Sequence, residues 1–254
     1  MKKYFSLLTL LSLCLTLTSA RAQFGAQGGG SPMDEALAKV FGTNLNFSAT
    51  VQTDVQISPT KTISIPGKIY FANGNSRTEM DMTTMTGIPL PPAAITQIKA
   101  MGMDKMVSIS LISQKTVYMI YPNLSAYAKM QLDAAKPGET NGSVVTADLG
   151  KETLDGHPCV KKQYTISDTK TSEPMVMTTW NATDLKDTPI KIEQSSPANI
   201  TTMHFTSINL TKPEANLFTP PTGFKAYDNV KTMMQTEMMK KMGSGMGGGM
   251  PAGK

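Results

Sequence analysis

Along most of the chain apolar and polar residues alternate one by one, the pattern of antiparallel strands with one buried face. Over 45–57, Leu45, Phe47, Ala49, Val51, Val55 and Ile57 point one way, and Asn46, Ser48, Gln52, Asp54 and Gln56 the other. Ile63, Ile65, Ile69 and Phe71 continue the pattern, with Gly67 after Pro66 marking a bulge or bend. Asn73-Gly74-Asn75 is a hairpin turn. It leads into Ser76–Met82, where Met80 and Met82 share a face opposite Arg77, Glu79 and Asp81. The proline-rich run Gly87–Pro92 stops the sheet, and residues 92–103 predict a short helix with Pro92 near its start. Strands resume at 106–112 (Val107, Ile109, Leu111), 116–121 (Val117, Met119, Tyr121) and 126–132, before a polar loop at 133–143.

The second half repeats the style without repeating the sequence. Strands are predicted at 144–149, 158–167, 174–181, 189–195 and 200–210, separated by turn signals at Asp155-Gly156, Ser167-Asp168, Thr183-Asp184 and Ser196-Pro197. Pro213–Pro221 and a turn at Thr222-Gly223 lead to a helix from about 226 to 242. Nine or ten strands with a helix near each end and one in the middle give an α+β fold. Its centre is a large curved antiparallel sheet whose concave face is covered by helices.

The first 22 residues read differently. Lys2 and Lys3 precede the apolar run 4–17, too short to span a bilayer, and Ala20-Arg21-Ala22 supplies a small-x-small cleavage site. The expectation is a signal peptide cut between Ala22 and Gln23 and a periplasmic or secreted protein. Residues 23–31 read as a flexible linker, 32–226 as one domain, 227–242 as a methionine-rich amphipathic helix and 243–254 as a Gly/Met-rich tail.

Cleavage changes the charge. The chain carries 24 basic and 19 acidic side chains, and losing Lys2, Lys3 and Arg21 leaves 21 against 19. That is no footprint for nucleic acid, which needs clustered Lys and Arg on one face. Cys14 leaves with the leader, so Cys159 stands alone and no intramolecular disulfide is expected. His157, His204 and Cys159 are too few for a metal site or a nucleophilic constellation. Cys159 reads as a small buried hydrophobe, His157 as a turn residue and Trp180 as a core anchor. No Gly-x-Ser-x-Gly elbow, phosphate loop or dinucleotide fingerprint occurs. The chain is read as non-catalytic, with no cofactor. Six Asn-x-Ser/Thr sequons, several inside predicted strands, read as chance in an Asn/Ser/Thr-rich composition.

The order of motifs resembles the LolA/LolB-like fold of secreted bacterial carriers, and within it an uncharacterised periplasmic family. The resemblance rests on a helix at 33–41 before the first strand, on Asn73-Gly74 with Arg77, and on Val117-Tyr118-Met119 followed by Pro122–Tyr127. It continues through Gly150–Tyr164, Thr178-Thr179-Trp180, Pro189–Ile192 and Leu217-Phe218 with Pro221–Phe224. What it implies is a half-barrel whose concave face is lined by apolar side chains and holds acyl chains or another hydrophobic partner. Phe47, Val51, Ile63, Ile69, Met80, Val117 and Met119 are the expected lining. Methionines such as Met101, Met103 and Met106 suit a face that repacks around varied guests. In such carriers a cavity arginine meets the lid; here alternation puts Arg77 on the other side, in local ion pairs on a solvated strand face.

In the C-terminal helix Val230, Met234, Met238 and Met242 align at i+4 spacing, with Met233 and Met239 beside them and Lys231, Lys240 and Lys241 flanking. This stripe reads as a lid over the groove or a docking surface, against an inert tail or thioether coordination of Cu(I). The leading expectation is thus a soluble periplasmic binding protein that buries a lipid or an acylated lipoprotein. The alternatives are an envelope protein–protein interaction module without lipid and a Met-rich copper-handling protein.

Overall fold

The computed structural model describes residues 45–131, 143–167, 174–195 and 199–246, of 242–246 the backbone only. The leader, the linker at 23–31, the helix expected at 33–41 and the end of the tail lie outside these residues.

Twelve strands hydrogen-bond into one sheet. In chain order they are β1 (Phe47–Ser58), β2 (Lys61–Ala72), β3 (Asn75–Asp81), β4 (Lys105–Leu111), β5 (Thr116–Tyr121) and β6 (Ala126–Gln131). Then follow β7 (Val144–Leu154), β8 (His157–Ile166), β9 (Met175–Ala182), β10 (Thr188–Ser195), β11 (Ile200–Asn209) and β12 (Lys225–Tyr227). Among the described residues the helices are α1 (Pro92–Ala100), between β3 and β4, and α2 (Val230–Met246). Every segment read as a strand forms one. β12 is added by parallel pairing on β6, and at three residues it carries no alternation to read.

The spatial order is β12-β6-β5-β4-β3-β2-β1-β11-β10-β9-β8-β7. The chain starts mid-sheet at β1, meanders out to β6, restarts at the far edge with β7 and meanders back until β11 pairs with β1. A flat sheet would hold the β7–β8 turn and β11 apart, with β9 and β10 between them. Asp155 of that turn nevertheless hydrogen-bonds His204 of β11. The sheet is therefore curled.

Three hairpins share one turn. Ile112–Gln114, Pro122–Leu124 and Thr183–Leu185 are single 3₁₀ turns, each closed by a left-handed residue: Lys115, Ser125 and Lys186, at φ 48°, 46° and 55°. The Asp155-Gly156 turn has both residues at positive φ, as a two-residue hairpin matching the strand twist requires. No bulge occurs at Gly67: β1 and β2 pair in continuous register through Gln52↔Pro66 and Val51↔Gly67. The glycine serves a different need. A Cβ there would lie 2.5 Å from the Glu79 carbonyl oxygen of β3. Gly67→Ala is accordingly expected to push β3 away and cost about 1–3 kcal/mol, read as a lower urea midpoint.

Both faces of the sheet carry core, where one buried face was expected. On one face Phe47, Ala49, Val51, Ile69, Phe71, Met177, Ile192, Met203 and Phe205 form the largest cluster. On the other, Val107, Ile109, Leu111 and Ile120 pack under Phe218, and Cys159, Trp180, Ala182 and Ile190 form a second group. The predicted apolar series of β4 therefore points away from the rest. The cause is the C-terminal chain. After β11, residues 210–224 run as a strap across this second face, with a 3₁₀ turn at Ala215–Phe218 seated on β3 and β4. The chain then rounds the β6 edge through β12 and places α2 on the first face.

Candidate ligand-binding site

The cross-strand register settles which side chains share a face. Phe47 lies opposite Phe71, Val51 opposite Gly67 and Phe205, Ile63 opposite Val55, and Ile69 opposite Ala49 and Thr78. Met80 lies opposite Met106, Val117 opposite Ser110 and Met130, and Met119 opposite Ser108 and Ala128. All seven expected lining residues thus lie on one face, continuous with the large cluster. Phe47, Val51, Ile63, Ile69 and Val117 are buried; Met80 and Met119 are half-buried.

α2 packs on the same face at its β6 edge. Asn229 caps it, its Oδ1 accepting from the Thr232 amide at 2.8 Å. Met233 is fully buried against Leu124, Ala126 and Ala128, with Val230, Met234, Tyr121 and Tyr227 around it. The helix's contact side therefore runs through Met233 and Glu237, one position before the predicted stripe. Met238 is half-buried, and the Met242 side chain lies outside the described residues. Met239 is 67% exposed. α1, which links β3 to β4, buries none of its side chains, and Lys241 of α2 reaches its Ala100 carbonyl oxygen at 3.4 Å.

Glu237 anchors α2. Burial alone raises its pKa, but hydrogen bonds from Lys240 Nζ (2.6 Å) and Tyr227 Oη, with Lys225 nearby, outweigh that and hold it below the ordinary 4.5. A depressed carboxylate stabilises above its unfolded value and loses that contribution as pH falls through the folded one. Docking of α2 is expected to weaken below pH 4.5. A dye on Met239→Cys should show its anisotropy fall there, and Glu237→Gln should erase the step.

Arg77 sits on the opposite face, as alternation predicts, and its Nε pairs with Glu79 at 2.7 Å. The surroundings differ from the solvated face expected. The side chain is only 15% exposed, and Nη1 donates to the Leu217 carbonyl oxygen at 2.9 Å, tying the strap to β3. Sequence gave no sign of this partner, 140 residues away.

The second face also brings together residues read separately in the sequence. His157 Nδ1 lies 2.8 Å from Asp184, and His204 Nε2 bonds Asp155. These pairs border a cavity of about 490 Å³ with Leu185, Ile190 and Ile208 in its wall. Asp155 belongs to the β7–β8 turn, so its reach to β11 shows how tightly the sheet coils there. Trp180 is held between Lys161 and Lys191, whose Nζ atoms stand 4.6 and 4.2 Å from the ring centre, while its indole N–H donates to Glu152. Burial pushes the Cys159 thiol pKa up, the state of an unreactive core residue. Among the described residues no three His, Cys, Asp or Glu side chains converge on a metal-sized site.

Neither a protein-family model nor a curated protein matches the sequence. Solved structures do. Lipoprotein LppX of Mycobacterium tuberculosis aligns at TM-score 0.37 with 10% identity, over 70% of this chain and 93% of its own. A LolA superfamily protein from Nitrosomonas europaea aligns at 0.35 with 10% identity, over 73% and 94%. A DUF1329 family protein from Desulfovibrio piger aligns at 0.34 with 11% identity, over 74% and 95%. A LolA superfamily structure is thus among those to which the chain is similar.

Proposed function

We propose that this is an exported, non-catalytic binding protein that buries a hydrophobic ligand, a lipid or the acyl chains of a lipoprotein, against the apolar face of its sheet. One observation carries the reading. Phe47, Val51, Ile63, Ile69, Met80, Val117 and Met119 share one face of a twelve-stranded single layer, and of the described helices α2 packs there, at one edge. The buried side chains of this face are closed over by the curled sheet itself, and the half-buried Met80, Met106 and Met119 are where it opens, on side chains that adapt to a guest. α2, held through Met233 and the Glu237 pair, is the lid of this arrangement, and the leader at 1–22 directs the chain to the periplasm.

The test is native mass spectrometry with organic extraction on protein purified from its own cell envelope. A discrete adduct released as an acyl-bearing molecule is the expected result. Bare protein mass with no acyl material in the extract overturns the carrier reading. That outcome favours the second one, an envelope module that docks another protein. Its support is β7, an eleven-residue edge strand with Val145 61% and Leu149 47% exposed.

A further inference from the structure

Within the apolar face, β3 and β4 break the pattern. Where their neighbours place Phe71 and Ile69 on one side and Val117 and Met119 on the other, these two strands place Ser76 directly opposite Ser110 and Thr78 directly opposite Ser108. Below these rows the face turns apolar again with Met80 opposite Met106. The hydroxyl strip lies between the large central cluster and the patch under α2, and it belongs to neither.

Hydroxyls facing water would need no explanation; Thr78 and Ser108 are half-buried, but Ser76 and Ser110 do not face water. Ser76 is 6% exposed and Ser110 1% exposed, and Ser110 Oγ has no hydrogen-bond partner. Buried hydroxyls in folded proteins are nearly always paired, because burying one unpaired gives up its bonds to water for nothing. β4 has not simply run out of apolar residues: Val107, Ile109 and Leu111 fill its other face. Directly opposed side chains on antiparallel strands stand about 5 Å apart at Cβ, so the four hydroxyls make one compact donor patch. A hydroxyl can donate to a carbonyl oxygen, and a hydrocarbon chain offers none.

We propose that this strip holds the ester carbonyls of an acyl-ester lipid, with Ser110 Oγ as the principal donor and Ser76, Thr78 and Ser108 beside it. The acyl chains lie along the flanking Ile69–Phe71 and Val117–Met119 rows. The proposal rests on the carrier reading and narrows it. The ligand class is an ester-bearing amphiphile, and the site discriminates it from an ether lipid of the same length.

Dioleoylglycerol and its dioleyl ether analogue differ at just those carbonyls. Each is titrated against purified protein carrying a displaceable apolar dye. The ester should displace the dye about five- to tenfold more effectively, as one or two neutral hydrogen bonds allow. Ser110→Ala, and separately Thr78→Val, should lower the ester's affinity towards that of the ether and leave the ether's unchanged, which also shows that the variants fold. Equal binding of both lipids by the unaltered protein overturns this inference and leaves the carrier reading standing. An ester preference that survives both substitutions overturns the assignment to this strip. Failure of both lipids to displace the dye overturns the carrier reading with it.

Discussion

Phe47→Ala is expected to destabilise the protein by about 3–5 kcal/mol, the range for truncating a fully buried aromatic side chain. Its ring is 0% exposed, stacked on Phe71 at 6.0 Å between centres and edge-on to Phe205 at 6.1 Å. Those partners belong to different halves of the sheet: Phe71 to the meander β1–β6, Phe205 to the meander β7–β11. The mutation removes the ring that joins them, and the surrounding strands, fixed by their ladders, cannot close the void. Urea unfolding followed by the fluorescence of Trp180, on β9, measures this from the far half. A midpoint shift in one transition is expected. An undisturbed Trp180 transition, or two separated ones, would show that the halves are stabilised independently.

Phe218→Ala is expected to cost about 3 kcal/mol, at the low end of that range because the strap lies across the surface and can lift away. Phe218 is 6% exposed and covers Val107, Ile109, Leu111 and Ile120 on the second face. Beside it, the Arg77–Leu217 hydrogen bond ties the 3₁₀ turn to β3 beneath. Removing the ring should therefore do more than lower the urea midpoint. Limited proteolysis should cut within 211–224 much faster than in the unaltered protein, while sites in β1–β5 keep their protection. Unchanged cleavage of the strap would refute its dependence on this anchor.

The sheet was legible in the sequence because alternation is a local signal. A strand such as 45–57 announces its period within a dozen residues, and the seven expected lining residues fall on one face because parity carries across each hairpin. What could not be read was what covers each face. Val107, Ile109 and Leu111 alternate as clearly as Val51 and Val55, yet they point to the strap, since nothing in a strand's own residues says which side a distant segment will occupy. Arg77 illustrates the same limit: its parity was readable, its carbonyl partner at Leu217 was not. His157 and His204 met across one cavity only through coiling of the β7–β8 turn over its neighbours, which depends on twist summed over several strands. The hydroxyl strip was visible as letters but unremarkable, because Ser and Thr are abundant here and only burial makes Ser110 unusual. In α2 the contact side lies one residue before the i+4 stripe. Glu237 took a buried position because Tyr227 and Lys240 satisfy it, and no apolarity pattern selects a glutamate.

The central position of β1 has a consequence for the order in which the molecule can be assembled. On any route that releases the chain from its N-terminus, β1 is the first of the described strands made and soon has β2 beside it. Its other edge waits for β11, which begins about 140 residues later. Until then Val51 and Val55 border an open edge, and such edges invite pairing with another chain. The late, long-range closure also makes for slow folding. A holdase that shields extended apolar strands should therefore matter most after β6 has emerged and before β11 has, and its need should vanish once the two meanders join.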